Sequence, residues 1–247
     1  MRKRLTPSAA IALTAVLAGT TMATPAQATP SGYKKIISYG DFSKGPGLYL
    51  NGSAGVQDKA LRLTSDTKRQ AGAAWAHVKV NPDKGFETAF DLSMTGAAGH
   101  ADGIAFVLQN DGRKGIGGYG GSLGYGGMTH SVAVELDTFK NPADVDNNHV
   151  AVVRGGASDA AQPIVASSPI QMFGQPVHVR ITYLAATTTL KVRVRAVGAA
   201  TETKILDTKV DLAAALGHRK ALVGFTGGTG EDVSVQEITN WSVKVAR

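Results

Sequence analysis

The chain has 247 residues, of which 43% are hydrophobic and none is cysteine. A chain of this length can bury a sizeable core, and the lack of cysteine excludes disulfide bonds. The formal net charge is +7, but the basic residues form no cluster with interleaved aromatic side chains, which argues against a nucleic-acid-binding protein.

Residues 1–28 are predicted to be a secretory signal peptide. Basic residues at positions 2–4 precede a short Ala/Leu-rich stretch, and the sequence AQA at 26–28 is typical of a cleavage site. The apolar stretch is too short to cross a bilayer as a helix, so no membrane insertion is expected. Cleavage would leave residues 29–247 as one secreted, extracellular domain. Removing the leader removes three basic residues, so 23 of the 26 remain against 19 acidic ones, and the net charge becomes +4.

The rest of the chain is dominated by short β-rich runs separated by Gly, Pro, Asn and Asp. Ten runs predict strands, at 60–64, 74–80, 86–94, 103–109, 131–137, 150–153, 177–183, 190–197, 222–226 and 238–245. The segment 211–216 is typical of a helical turn, with Asp211 as N-cap and Gly217 as its stop. Many short strands with few helices indicate an all-β sandwich or barrel.

The segment 131–150 concentrates side chains that bind metals. Glu135 and Asp137 lie two apart in an apolar strand, which points both carboxylates to one face. Four further candidates follow, namely Asn141, Asp144, Asp146 and His149. Neighbouring buried carboxylates repel each other unless a cation lies between them, so the pattern predicts a divalent metal. Oxygen ligands suit Ca²⁺ and an added imidazole suits a transition ion. The alternative is an acidic strand end followed by a solvated turn.

Two Gly-rich segments, 115–127 and 227–232, are candidate ligand-binding loops. The first has no Gly-Lys-Ser/Thr ending and no following helix, which argues against a phosphate-binding loop. Glycine allows a ligand to approach a backbone N–H closely. A flexible loop without a ligand is the alternative.

These motifs together resemble the legume-type (L-type) lectins, most closely their secreted bacterial members. They are ADGIAF at 101–106, GGSLG at 120–124, VAVELDT at 132–138 with the Asn, Asp and His that follow, and VGFT at 223–226 with a later Trp-Ser. They occur in the family's order, and the likeness runs from about Asp41 to Val245. The resemblance implies a concanavalin A-like jelly-roll β-sandwich with a calcium-dependent sugar site on loops at one end.

The resemblance also implies two metal sites. Ca²⁺ would be bound by Asp137, the Phe139 carbonyl, Asn141 and Asp144. Mn²⁺ or another transition metal would be bound by Glu135, Asp137, Asp144 and His149. Asp144 is preferred to Asp146 because it precedes His149 by the family's five residues.

The sugar site implied by the resemblance has five members: Asp102, Gly121, Phe139, Asn141 and Glu231. Asp102 would follow a cis peptide bond and would only accept hydrogen bonds, whereas the Asn141 amide and the Gly121 N–H would donate. The Phe139 ring would stack on the sugar. The alternatives are an ordinary Asp-Gly turn for Asp102 and core packing for Phe139.

The expected function is therefore that of a secreted, calcium-dependent carbohydrate-binding protein without enzymatic activity, whose partners are glycans or glycoconjugates. One alternative is a jelly-roll glycoside hydrolase, but the second Glu that such enzymes carry after Glu-x-Asp is missing beyond Asp137. Another is a non-catalytic module that binds cell wall or protein. The sugar and the formation of a homo-oligomer stay open.

Overall fold

The computed structural model describes residues 32–43, 47–96, 99–158, 164–217 and 219–247. In these ranges the strands are β1 (Tyr33–Tyr39), β2 (Leu48–Gly52), β3 (Gly55–Gln57), β4 (Ala60–Thr64), β5 (Ala71–Val80), β6 (Phe86–Thr95), β7 (Gly103–Gln109), β8 (Ser131–Asp137), β9 (His149–Arg154), β10 (Val165–Ser167), β11 (Val177–Leu184), β12 (Thr189–Ala196), β13 (Thr203–Lys209), β14 (Ala221–Gly228) and β15 (Val235–Ala246). A helical turn, α1 (Leu212–Ala215), and two 3₁₀ turns, Gly120–Ser122 and Ala185–Thr187, accompany them. The predicted signal peptide, residues 1–28, lies outside the described residues.

The strands of the described ranges form two antiparallel sheets. The eight-stranded sheet has the order β13-β12-β11-β6-β15-β4-β3, with β1 paired to β15. The seven-stranded sheet has the order β10-β9-β8-β7-β14-β5-β2. The predicted all-β class is thereby confirmed. No helix in the described part of the chain is long and apolar enough to cross a membrane.

The main core lies between the two sheets. Alternate residues of β8, Val132, Val134 and Leu136, face this core. At its centre the Phe225 ring meets Trp241 and Phe90 edge-on, with ring centroids 4.8 Å apart in both pairs. Full burial of one such side chain contributes roughly 1.5–3 kcal/mol to stability. The core therefore fixes which face of β8 points outward.

The outward face of the seven-stranded sheet carries a second, smaller apolar cluster. Ala133 on β8 contributes to it, and Leu123 and Tyr125 from the Gly-rich segment 115–127 pack over it. The Trp75 Nε1–H donates to the Gly115 carbonyl at 2.8 Å and holds the start of that segment. This packing places the Gly-rich loop beside Glu135 and Asp137, which alternate with the inward residues of β8.

All ten predicted strands are present, and β4, β7 and β8 have the predicted bounds. The helical turn is also present: the Asp211 side chain accepts a hydrogen bond from the Ala214 N–H at 2.9 Å, and Gly217 follows the turn at φ +65°. Sequence reasoning missed five strands, β1, β2, β3, β10 and β13.

Candidate functional site

Three candidate metal ligands meet where β8 ends and β9 begins. Asp137 is the last residue of β8, and it is directly opposite His149, the first residue of β9. Asp144 lies in the loop between these strands. One ligand atom from each of the three side chains lies within 4.8 Å of the other two. Asp137 and His149 are buried, and the Asp144 side chain is 8% exposed.

The hydrogen bonding of His149 leaves one ring nitrogen ready to bind a cation. Its Nδ1 lies 2.8 Å from the Asp146 carbonyl oxygen, which can only accept, so Nδ1 carries the proton. In the neutral imidazole this tautomer puts the lone pair on Nε2, which is buried and has no hydrogen-bond partner among the described residues. Nε2 lies 3.9 Å from the Asp144 Oδ1. A metal would satisfy this otherwise unpaired buried nitrogen.

The electrostatics of Asp137 also favour a cation. Burial raises the pKa of Asp137 well above its ordinary value, and the carboxylates of Glu135, Asp144 and Asp102 raise it further. The hydrogen bond from the Phe139 N–H, at 2.7 Å, acts in the opposite direction. Several carboxylates around one buried acid repel each other unless a positive charge offsets them.

The loop after β8 is closed by reciprocal hydrogen bonds. The Asn141 N–H donates to the Asp144 Oδ2 at 2.7 Å, and the Asp144 N–H donates to the Asn141 carbonyl at 3.0 Å. Asp146 instead accepts a hydrogen bond from the Asn148 N–H at 2.8 Å, and its side chain is 37% exposed. The geometry thus sets Asp144 in the cluster and Asp146 at its edge.

Glu135 lies on the same face but has a different contact. Its buried carboxylate accepts a hydrogen bond from the Tyr125 hydroxyl of the Gly-rich loop. Glu135 is outside the group of side chains that could hold a metal ion in the described part of the chain. Its role as a metal ligand stays a prediction.

Asp102 is joined to the loop between β8 and β9 by a residue that sequence reasoning missed, Thr138. This loop, residues 138–148, is called the metal loop below because it carries the candidate ligands Asn141 and Asp144. The Ala101–Asp102 peptide bond is cis, as the resemblance implies. The Thr138 N–H donates to the Asp102 carbonyl at 2.9 Å, and the single Thr138 Oγ1 proton lies between two acceptors, the His100 carbonyl at 2.5 Å and the Asp102 carbonyl at 3.1 Å. Because Thr138 directly follows Asp137, ordering the metal loop and placing Asp102 are mechanically linked. The only sequence signal for this was the position of Thr138 at the end of the VAVELDT motif.

The two Gly-rich loops meet beside Asp102. The Asp102 N–H donates to the Gly228 carbonyl at 3.1 Å, and the Gly120 N–H donates to the Thr229 carbonyl at 3.0 Å. Gly121 occupies the middle of the 3₁₀ turn Gly120–Ser122, whose first N–H groups have no acceptor within the turn. The predicted donor Gly121 therefore belongs to a loop that contacts the Asp102 loop.

An open pocket of about 320 Å³ adjoins the metal loop. Its lining includes Phe139, His100 and Asp232. Phe139 is half-buried. Glu231, the fifth predicted sugar ligand, is exposed, and its carboxylate is paired with Arg69, whose Nε donates at 2.8 Å.

Asn148 is a further structural residue that the sequence did not reveal. Its Nδ2 donates to the carbonyls of Ser168 and Ile170, and its Oδ1 accepts from the Met172 N–H at 2.9 Å. These contacts tie the end of the metal loop to the chain beyond β10. The neighbouring residues in the sequence, Asn147 and His149, give no indication of these hydrogen bonds.

Residues 41–242 match the family model described as the legume lectin beta-barrel domain. The chain belongs to the L-type lectin family. Among this lectin's curated relatives is the probable L-type lectin-domain containing receptor kinase I.2 of Arabidopsis thaliana, 28% identical over 236 residues. That match covers 82% of the lectin chain but only 34% of the kinase. Lectin 1 of Medicago truncatula is 29% identical over 199 residues, which cover 74% of this chain and 70% of that protein.

Solved structures of plant lectins share the fold. Peanut lectin with a 9mer peptide superposes with a TM-score of 0.76 at 23% identity, covering 87% of this chain and 98% of that chain. The lectin from Bauhinia forficata in complex with GalNAc gives a TM-score of 0.74 at 23% identity, covering 86% and 99%. The predicted jelly-roll sandwich is therefore confirmed.

Proposed function

We propose that this L-type lectin is a secreted, calcium-dependent carbohydrate-binding protein. The proposal rests on three parts of the structure that lie together at one end of the sandwich. Asp137, Asp144 and His149 form the candidate metal cluster, Thr138 links that cluster to Asp102, and Thr138 together with Phe139 lines a pocket. Secretion rests on the predicted signal peptide.

The residues of the cluster fit a divalent cation. The unpaired His149 Nε2 and the mutual repulsion of the buried carboxylates are the two supporting observations. Asp137, Asp144, Asn141 and the Phe139 carbonyl would hold Ca²⁺, and the imidazole would add a nitrogen ligand for Mn²⁺ or a similar ion. Bound there, the cation would neutralise the carboxylates and order the loop that leads to Asp102.

The sugar would be gripped by complementary hydrogen-bond roles. Ionised Asp102 accepts from sugar hydroxyls, while the Gly121 N–H and the Asn141 amide donate to them. The half-buried Phe139 ring offers an apolar surface for the face of the sugar. A sugar ligand agrees with two solved lectins of the same fold, since winged bean acidic lectin was solved with methyl-α-D-galactose and the Bauhinia lectin with GalNAc. Glu231 would be freed for a ligand only by giving up its contact with Arg69.

The experiment is glycan-array binding by the mature protein in Ca²⁺ for the wild type, Asp102→Asn and Asp111→Asn. Hydrogen bonds to charged groups contribute about 1.5–3 kcal/mol, so Asp102→Asn should weaken binding by at least about tenfold. Asp111 bonds the exposed His130 and lines a different pocket, so Asp111→Asn should bind as the wild type does. A folded wild type that binds no glycan would contradict the proposal and favour a protein or wall-polymer partner. Release of products from bound glycans would favour the hydrolase.

A further inference from the structure

Two polar side chains occupy core positions beneath the candidate sugar site. Ser234 and Gln236 are both fully buried; Gln236 is on the same face of β15 as Ile238, which belongs to the main core, and Ser234 directly precedes that strand. A buried polar group is costly unless it is hydrogen-bonded, so apolar residues would be expected at such positions. The metal cluster and the sugar-binding side chains do not account for either residue.

Both polar atoms of the Ala101–Asp102 peptide group are held through this pair. The Ser234 Oγ–H donates to the Ala101 carbonyl at 2.7 Å. The Asp102 N–H donates to the Gly228 carbonyl at 3.1 Å, and the Gln236 Nε2 donates to that same carbonyl at 2.7 Å. The Gln236 Nε2 also lies 3.1 Å from the Ser234 Oγ, which joins the two contacts into one network.

The network fixes Asp102 from the core side, whereas Thr138 fixes it from the metal loop. The Thr138 N–H reaches the Asp102 carbonyl. Ser234 reaches the preceding peptide group directly, whereas Gln236 reaches it only through the Gly228 carbonyl, which accepts from both the Gln236 amide and the Asp102 N–H. With its backbone held on both sides, the Cα that carries the Asp102 carboxylate has little freedom to shift.

We propose that Ser234 and Gln236 are positioning residues that set the place of the Asp102 carboxylate for sugar binding. They act through Asp102 and do not touch the sugar. This inference rests on the proposed function, because Asp102 must bind sugar for its position to affect affinity.

Gly227 provides the space that Gln236 needs. A Cβ built at Gly227 would lie 2.2 Å from the Gln236 Oε1. Because that oxygen is at the end of a flexible side chain, Gly227→Ala should displace the Gln236 amide and leave Ser234 and Asp102 chemically intact. This variant therefore disturbs the pair without deleting a member of it.

The test compares Ser234→Ala, Gly227→Ala and the matched control Ser131→Ala. Ser131 is also a fully buried serine that donates to a backbone carbonyl, that of Met128 at 2.6 Å, but it is at the opposite end of β8 from Asp137. Titration calorimetry with a glycan selected on the array gives sugar affinity, Ca²⁺ titration gives metal affinity, and thermal unfolding checks that each variant is folded.

The expected result is a selective loss. Deleting one net hydrogen bond corresponds to a change of about fivefold or more, so Ser234→Ala and Gly227→Ala should weaken sugar binding by that factor with Ca²⁺ affinity unchanged. Ser131→Ala should lower thermal stability without weakening sugar binding. Wild-type sugar affinity in Ser234→Ala, or an equal loss of sugar affinity in Ser131→Ala, would overturn this inference and leave the proposed function standing. A wild type that binds no glycan would overturn the proposed function and this inference with it.

Discussion

At the residue scale, the partners of Asp144 and Asp146 separate two acids that are alike in the sequence. Asp144 shares a buried cluster with Asp137 and His149, whereas Asp146 offers its carbonyl to His149 and its carboxylate to the Asn148 N–H. Asp146 therefore orients the imidazole from outside the cluster. This division follows from the fold of the loop and from which oxygen each acid turns inward.

Asp144→Asn should lower the affinity for Ca²⁺ and for Mn²⁺ by at least about tenfold, because it removes a charged ligand from a buried site. Asp146→Asn, the matched control, keeps the backbone carbonyl that bonds His149 and should change affinity by less than about threefold. Titration calorimetry on the metal-stripped proteins measures both. Equal losses in the two variants would contradict the assignment of Asp144.

Asp91 makes a separate contribution to stability on the eight-stranded sheet. Burial acts to raise the pKa of Asp91, but the hydrogen bonds from His178, at 2.6 Å, and from Asn240, with the nearby positive charges, outweigh it and lower the pKa below its ordinary value of 3.8. A carboxylate with a lowered folded-state pKa stabilises the protein above its unfolded-state pKa, and this contribution is lost as the pH falls through the folded value.

Asp91→Asn should therefore lower the free energy of unfolding at pH 7, and the gap to the wild type should shrink below about pH 3.8. Urea unfolding at pH 7 and at pH 3 measures this gap. The control is Asp111→Asn, whose partner His130 is 63% exposed, and surface pairs of this kind contribute little. A gap of the same size at both pH values would be inconsistent with the role of Asp91.

At the scale of elements, the Gly-rich loop is defined by close backbone contacts as much as by side chains. A Cβ at Gly117 would lie 2.3 Å from the Tyr125 backbone carbon and 2.5 Å from the Gly126 nitrogen. These are backbone atoms, so neither can rotate away. Tyr125 in turn ties the loop to Glu135 on β8.

Gly117→Ala should consequently displace the loop that carries Gly121. Overpacking costs about 1–3 kcal/mol, which predicts a fall in Tm of roughly 2–12 °C together with weaker sugar binding. Gly55→Ala is the matched control, since nothing lies within 4 Å of a Cβ built there. Differential scanning calorimetry and glycan binding measure the two effects, and an unchanged Tm and affinity in Gly117→Ala would show that the loop is not constrained in this way.

The sequence predicted the central strands better than the edge strands, for a physical reason. β7 and β8 are buried on both faces and read as continuous apolar runs. β2, β10 and β13 are edge strands or short ones with mostly exposed or half-buried residues, so they lack a clear apolar pattern. β1 carries adjacent lysines and is recognisable only from its pairing with β15.

At the scale of the whole molecule, metal binding should stabilise the fold because the cluster exists only when β8 and β9 are paired. The free energy gained from a ligand that binds only the native state is about 2.7 kcal/mol at 100 times Kd, which corresponds to a rise in Tm of roughly 5–10 °C. Thermal unfolding with Ca²⁺ and with EDTA measures it. Asp144→Asn should show little difference between the two conditions, and a wild type with equal Tm in both would contradict this coupling.

The candidate site, like the strands, was only partly predictable from the sequence. The residue pattern pointed to Asp137, Asp144 and His149 as candidate metal ligands, since acidic and imidazole groups near an apolar strand are visible in the sequence, and the family resemblance pointed to Asp102 as a candidate sugar ligand. The supports of these residues were not, because Thr138, Ser234 and Gln236 act through backbone carbonyls distant along the chain. Such contacts depend on the three-dimensional fold and leave no periodic signal.

If a bound metal organises the sugar site, sugar binding should depend on that metal. Binding of a glycan selected on the array is measured with the metal-stripped protein, before and after Ca²⁺ is returned. The glycan affinity should fall at least about tenfold without metal and recover when Ca²⁺ is returned. The reason is that the loop from Asp137 to Asp144 supports Asp102 through Thr138. Equal affinity in the stripped and reloaded protein, with both folded, would contradict it.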